Sequence, residues 1–301
     1  MTAHATIADA PAAGAELLRA LGSVPGSPPP YCGPVLAALG LPAPTAAEHT
    51  AAFVLSAPPH AAIHLGSEGK LGGEGLDRVA GFWRAIGLAP PADADHLGVL
   101  LLLYAELAEA ETVARSELTR QRLTHARANL LREHLWSWAP GYLTALSHVA
   151  AGGLAAWAEL TLRALHREAR LPIASPTTAL PAALRAAGLP IRSGDSRDQL
   201  LDSLVAPVRS GILLTREDLR AAAAAAGLGY RVGERRYTLA AMLDQDPGAT
   251  LSWLRGHAER WARAHASQPP VSGRDPRHWW ARRATATASA LGQLQDELVT
   301  F

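Results

Sequence analysis

The clearest pattern of hydrophobic and polar positions lies between Gly73 and Glu111. In its first part, apolar side chains recur every three or four residues, which predicts an amphipathic helix over residues 74–87. The apolar stripe of that helix consists of Leu76, Val79, Trp83 and Ile86. Gly87 can end the helix, and the Pro90-Pro91 pair prevents its continuation.

A second helix is predicted over residues 95–112, and it is apolar on every side from Val99 to Leu103. A helix of this kind is normally buried in the middle of a helical domain. Asp93 or Asp95 is placed to cap it, since a carboxylate accepts hydrogen bonds from the free N–H groups of a first turn. The short connection predicts that the two helices are antiparallel neighbours.

The rest of the chain continues the helical pattern, and no alternating Val/Ile/Thr run has the length of a strand. The prediction is an all-α protein, in which a helical bundle is followed by a second, smaller helical region. Further helices are predicted at residues 15–21, 32–39, 45–55, 114–137, 141–150 and 153–169, and then at 196–205, 215–226, 237–244, 249–266 and 276–298.

The segment Leu171–Pro181 is flanked by prolines and is the best candidate for a domain boundary. Charge changes across it: residues 1–174 carry 12 basic and 15 acidic side chains, whereas residues 175–301 carry 16 basic and 12 acidic ones. The predicted organisation is a flexible tail over 1–13, a bundle over 14–170, a linker over 171–181 and a helical extension over 182–301.

Composition argues against several classes of protein. With 301 residues, 49% of them hydrophobic, the chain can bury a full core, and a net charge of +1 gives no reason to expect nucleic acid as a partner. A single cysteine, Cys32, excludes a disulfide framework within one chain. The N-terminus does not resemble a secretory signal, and the longest apolar run, Leu97–Tyr104, is far below the ~20 residues of a membrane span. We expect a cytoplasmic protein without stable membrane insertion, as a monomer or homodimer.

Two pairs of residues could carry chemistry. His60 and His64 have a spacing that could bind zinc on a helix, but no third ligand is evident. Asp95 and His96 could be a catalytic pair, a metal pair or a recognition pair; alternatively, Asp95 is only a helix cap. The chain has no phosphate-binding loop and no nucleophile motif. We therefore expect no metal, no cofactor and no catalytic residues.

The order of several segments resembles a known family. Pro58-Pro59 is followed by a glycine-rich stretch at 66–75, the DRVAGFWRAIGL helix, DADHLG and the apolar helix. HLWSWAPGYLTAL and WAELTLRAL come further on, starting at His134 and Trp157. This order is similar to the TorD/DmsD/NarJ family of redox-enzyme maturation chaperones, over about residues 31–168. Of the signature Glu-Pro-x-Asp-His, the Asp and His are present, while Ala92 and Asp93 replace the Glu and Pro.

The resemblance implies a function. Members of this family hold the apo-form of a molybdopterin-containing oxidoreductase, shield its N-terminal twin-arginine leader and delay export or assembly until the cofactor is inserted. The implied partners are the catalytic subunit of that oxidoreductase and its leader peptide. Two alternatives remain open: a helical enzyme that uses Asp95 and His96, and a structural adaptor that binds a partner through its C-terminal region.

A client-peptide site is expected where the two central helices meet. Trp83 is a candidate for its main contact, because large aromatic side chains dominate peptide-binding hot spots. Asp95 could face the cationic start of a leader, and the apolar positions of the second helix could form a wall. The predicted site consists of Trp83, Asp95, His96, Leu97, Leu100 and Tyr104, with His134 and Trp138 closing its floor.

Overall fold

The computed structural model describes residues 11–171, 179–271 and 275–299, and over these residues the protein is all-α, as predicted. Two helices continue into π-helical turns, named π1 and π2, and no strand is present in these ranges. The elements are α1 (Pro11–Gly26), α2 (Gly33–Ala38), α3 (Ala46–Thr50), π1 (Ala51–Ser56), α4 (Ala61–Leu65), α5 (Gly73–Ala85), α6 (Leu97–Val113), α7 (Glu117–Asn129), π2 (Leu130–Leu135), α8 (Ala139–Val149), α9 (Gly152–Ala169), α10 (Ala182–Arg185), α11 (Arg197–Leu204), α12 (Pro207–Ser210), α13 (Arg216–Ala226), α14 (Arg235–Gln245), α15 (Pro247–Ser267) and α16 (Pro276–Val299).

Helix α6 is the centre of the first part of the molecule, which comprises α1 to α9, as its apolar sequence predicts. The second part comprises α10 to α16. Helix α1 crosses α6 and packs closely along it, and Leu18, Leu21 and Val24 of α1 are fully buried. At the crossing the two backbones come very close, because Gly22 of α1 faces Gly98 of α6 and neither has a side chain. A Cβ added at Gly22 would lie 2.9 Å from the Leu101 Cβ.

Helices α7 and α9 are tied to α6 by a buried polar network. The Tyr104 hydroxyl donates to Glu168 Oε2 at 2.8 Å and accepts from Arg127 Nη1 at 2.9 Å. Arg127 also donates from Nε to Glu111 Oε2 at 2.9 Å. Each buried polar group therefore has a partner, which is the condition under which such a network stabilises a core.

In the second part, one face of α15 carries an alternating row of Trp and His at every fourth position: Trp253, His257, Trp261 and His265. Trp253 stacks on His257 at 4.8 Å between ring centroids, and Trp280 of α16 stacks on His265 at 5.7 Å. The imidazole Nε2 atoms of His257 and His265 donate to the carbonyls of Leu213 and Gly211. The row thus holds the segment between α12 and α13 against the α15–α16 pair.

The two parts share one continuous hydrophobic core. Polar contacts also cross between them: Trp280 Nε1 donates to the Ser137 carbonyl at 2.9 Å, and the Ala182 N–H donates to Glu133 Oε2 at 2.7 Å. Most of the predicted linker and residues 1–10 of the predicted tail lie outside the described residues. The division into two domains therefore stays a prediction, whereas the contact between the two parts is extensive.

Several helix boundaries differ from the sequence prediction. Helix α1 begins at Pro11 and runs to Gly26, through residues that the sequence indicates as loop, because burial of Leu21 and Val24 outweighs the poor local propensity. Helix α7 begins only after Ser116, whose hydroxyl accepts from the Thr119 N–H as an N-cap. The short helices α4, α10 and α12 were not predicted, since four or five residues carry no periodic pattern.

The Gly22–Gly98 crossing predicts a stability effect. In Gly98→Ala the new methyl group would overlap the Gly22 carbonyl oxygen, so α1 must move away from α6. We expect a loss of about 1–3 kcal/mol in the free energy of unfolding, measured by denaturant titration.

Gly81→Ala is the matched control, because Gly81 lies in the exposed face of α5 with no atom near its would-be Cβ. It should raise stability by up to about 1 kcal/mol through helix propensity. If both variants change stability equally, the crossing is not a steric constraint.

Candidate functional site

The predicted Asp-His pair lies where the chain before α4 meets the chain before α6. The two segments run antiparallel there: the Leu97 N–H donates to the Pro59 carbonyl at 2.7 Å, and the Ala61 N–H donates to the Asp95 carbonyl at 3.0 Å. We call this pairing the Pro59–Leu97 clamp. It sets the start of α4 against the start of α6.

Asp95 is buried in the clamp, with 3% of its surface exposed. Its Oδ2 accepts from the Ala62 N–H at 2.8 Å and its Oδ1 from His60 Nδ1 at 3.3 Å. Burial raises the pKa of this carboxyl, but the hydrogen bonds from His60 and Ala62 outweigh burial and hold the pKa below its usual range. Asp95 therefore caps α4, and the expectation that Asp93 or Asp95 caps the following helix is wrong.

The N-cap of α6 is His96. Its Nδ1 accepts from the Gly98 N–H at 3.1 Å, which places the proton of the neutral ring on Nε2. Burial, together with His60 at 5.0 Å between ring centroids, lowers the pKa of His96 to about 4. The side chains of Asp95 and His96 thus serve two different helices and do not hydrogen-bond to each other, as a catalytic base and its orienting group would.

Trp83 packs over the outside of the clamp. It is half-buried, and its Nε1 donates to the Ala94 carbonyl in a long hydrogen bond of 3.4 Å. The neighbouring Phe82 lies against His134, with 4.8 Å between ring centroids. Burial, and then the Arg78 cation, lower the pKa of His134 to about 4. Two adjacent residues of α5 thus make different contacts: Trp83 reaches the clamp and Phe82 reaches His134.

The other predicted site residues lie inside the core. Leu97, Leu100 and Tyr104 are completely buried, and Trp138 is nearly so. Trp138 donates from Nε1 to the His134 carbonyl at 2.7 Å and stacks on His64 at 4.9 Å. The groove predicted from these residues is closed in the structure, because α6 is packed against α1, α7 and π2. Close packing of α5 on α6 as antiparallel neighbours, which the short connection predicts, is not what buries them.

Residues 41–144 match the family model described as nitrate reductase delta subunit. The match covers 104 of the 301 residues, and over this segment the chain is similar to that family. The family is a NarJ/TorD-type family of molybdoenzyme maturation chaperones, which confirms the resemblance found in the sequence. No curated protein and no solved structure matches the chain.

The nitrate reductase delta match contains both segments of the clamp, helix α5 and the start of α8. The family is one of chaperones rather than enzymes, and it implies binding to a molybdoenzyme subunit. The match leaves out α1, which covers α6, and the helices from α9 to α16. In the described part of the chain, no helix is long and apolar enough to cross a membrane.

Sequence reasoning missed the role of His60. It treats His60 and His64 as a possible zinc pair, whereas His60 holds Asp95 and His64 is stacked on Trp138. Over the described ranges, no group of three His, Cys, Asp or Glu side chains is placed to bind a metal. The Pro58-Pro59 pair is the signal that could have found His60, since prolines favour the extended backbone that the clamp needs.

The buried histidines predict a loss of stability in mild acid. The folded state holds His96 and His134 neutral, with each pKa near 4, whereas the unfolded chain binds these protons at about pH 6.5. Their contribution to stability is therefore complete above pH 6.5 and is lost as the pH falls from there towards 4.

Denaturant unfolding at pH 7, 6 and 5 measures this effect. His134→Gln should flatten the decline by up to ~1.4 kcal/mol per pH unit, because one proton-linked group is removed. His125→Gln, on the exposed face of α7, is the control and should leave the slope unchanged. A slope that His134→Gln does not alter would show that other groups govern acid unfolding.

Proposed function

We propose that this protein is a cytoplasmic maturation chaperone for a molybdopterin-containing oxidoreductase. It binds the apo-form of the catalytic subunit together with its N-terminal leader, and it assists cofactor insertion before export or assembly. The family match over residues 41–144 carries this proposal. The geometry of the clamp supports it, because Asp95 and His96 are occupied as helix caps, as expected of a binding scaffold.

The leader is proposed to bind on the exposed side of the clamp. There the turn from α5 to α6 presents what we call the Trp83 patch: Trp83, Leu88, Asp93 and His96. Leu88 has 43% of its surface exposed, and its N–H donates to the Trp83 carbonyl, so the two residues are held on one turn. Asp93 is exposed beside them.

This patch has the chemistry that a leader requires. A twin-arginine leader is cationic at its start and apolar further on, so its binding site needs a carboxylate next to an apolar surface. Asp93 supplies an accessible carboxylate, whereas the carboxylate of Asp95 is buried and already holds two hydrogen bonds. We therefore propose that Asp93, and not Asp95, is the residue that faces the leader.

The buried residues of the predicted site take a supporting role in this proposal. Leu97, Leu100 and Tyr104 belong to the buried core of α6, His134 packs on Phe82 of α5, and Trp138 stacks on His64 of α4. A leader that inserts more deeply would have to displace Trp83 from Ala94. The long Trp83–Ala94 hydrogen bond makes that displacement cheaper than breaking the clamp itself.

Trp83→Ala tests the patch. If Trp83 is the main contact, affinity for the leader peptide of the molybdoenzyme catalytic subunit should fall about thirtyfold, or roughly 2 kcal/mol, in calorimetric titration. Trp83→Phe keeps an aromatic ring and should retain most of the affinity. A folded Trp83→Ala protein that binds the leader as tightly as wild type would remove Trp83 from the site.

Asp93 and Asp95 should separate binding from stability. Asp93→Asn should weaken leader binding by up to about fivefold at low salt, with an effect that shrinks at high salt, and leave the melting temperature unchanged. Asp95→Asn should lower the melting temperature, because a buried acceptor of two hydrogen bonds loses its charge. If only Asp95→Asn weakens binding in a folded protein, the carboxylate that meets the leader is Asp95.

A further inference from the structure

A cavity of about 620 Å³ lies between the family segment and the helices that follow it. One wall comes from the end of π1, from α4 and from the loop at 67–70, and the other from α11, α12 and the starts of α13 and α14. Gly69 closes one side of it with a positive φ of 62°, where a Cβ would lie 2.6 Å from the Val205 carbonyl oxygen. The volume is within the range of small-molecule sites in proteins.

The cavity carries an excess of positive charge. Five basic side chains line it, against the three carboxylates of Glu68, Asp202 and Glu234. Arg236 is neutralised by Asp198 and Asp202, at 2.7 and 2.6 Å. The other four bases have no ion pair with any described residue: Lys70, Arg209, Arg216 and Arg235.

Arg235 is the most constrained of these cations. It is partly buried and donates to the carbonyls of Leu214 at 3.0 Å and Gly69 at 3.3 Å, so its partners are neutral groups. Burial, and then the like charge of Arg216, lower its pKa. Partly buried cations held near each other without an ion pair to a carboxylate are costly, and an anion between them would offset that cost.

The rest of the cavity wall is suited to a less polar body. Val54 and Leu55 are exposed there, and Ile63, Leu213 and Leu214 lie beside them. His64 also lines the cavity; it is buried, and neither of its ring nitrogens makes a hydrogen bond of acceptable geometry. The cavity thus combines a cationic end with an apolar wall and one unpartnered polar group.

We propose that this cavity binds a phosphorylated small molecule, with its phosphate oxygens on Arg209, Arg216 and Arg235 and its body against Val54 and Leu55. The planar guanidinium group matches phosphate oxygens in pairs, which favours phosphate where several arginines line one cavity. The charge disfavours the cationic leader here, so this site goes beyond the proposed function and is separate from the Trp83 patch. Four of the five basic residues lie outside residues 41–144, so most of the charge comes from the C-terminal region.

Calorimetric titration of the full chain with pyrophosphate and with a nucleoside diphosphate tests this proposal. Wild type should bind pyrophosphate saturably. If the nucleoside diphosphate binds with higher affinity than pyrophosphate, its base contacts the apolar wall. The double variant R209Q/R216Q should bind at least about tenfold more weakly, because it removes two charge-assisted contacts.

This variant is also the safer one structurally. The side chains of Arg209 and Arg216 make no hydrogen bond to any described residue, whereas the guanidinium group of Arg235 donates to two carbonyls. Without ligand, R209Q/R216Q should melt at the same temperature as wild type or higher, because it relieves repulsion on Arg235. Pyrophosphate should raise the melting temperature of wild type but not that of the variant.

The control R115Q/R122Q removes the same charge from exposed positions near and on α7, outside the cavity, and should bind pyrophosphate like wild type. Equal losses in both double variants would mean that only net charge matters, and would overturn the proposal. The proposal would also be overturned if wild type binds neither pyrophosphate nor the nucleoside diphosphate. In that case, binding of an aspartate-rich peptide would show that the cavity takes a carboxylate partner instead. Leader binding by R209Q/R216Q should be unchanged, which separates failure here from failure of the chaperone proposal.

Discussion

Two backbone hydrogen bonds between Pro59–Ala61 and Asp95–Leu97 fix the part of the structure on which the rest depends. They hold the starts of α4 and α6 together, and Asp95 and His96 then cap one helix each. With the start of α6 fixed, Gly98 meets Gly22 and α1 can cover the apolar helix. The Asp-His pair thus acts first as a structural joint, and the surface around Trp83 gains its shape from that joint.

The sequence predicts the helices well where their apolar positions repeat, as in α5 and α6, because burial of one face decides local structure there. It fails for Asp95, because the N–H that the carboxylate caps belongs to Ala62, 33 residues earlier, and no local pattern reports such a partner. For Leu97, Leu100 and Tyr104, the sequence supports two predictions: burial in the core, and exposure along the wall of a groove. A helix that is apolar on all sides indicates burial, and burial is what the structure has, so the groove drawn from one face of it is closed.

The C-terminal region is part of the structure that surrounds the family segment. Its helices share the hydrophobic core, and Trp280 and Arg235 donate to carbonyls of Ser137 and Gly69. The excess of basic residues in the second half of the sequence is concentrated at one place in the structure. Arginines of the later helices line a cavity whose other wall is π1 and α4. Such clustering could not be predicted from charge counts, because it depends on how α12, α13 and α14 are turned towards the first part.

The close crossing of α1 and α6 also bears on what counts as the smallest folding unit. The matched segment begins at residue 41, yet α1 (Pro11–Gly26) is the helix that packs most closely on α6. Trp157 of α9 in turn donates to the Leu21 carbonyl, so the next layer also depends on α1. A fragment trimmed to the family boundaries would lose α1 and expose to water the face of α6 that α1 covers, which favours self-association. The family boundaries therefore cut through packed layers, and burial of α6 requires α1 as well.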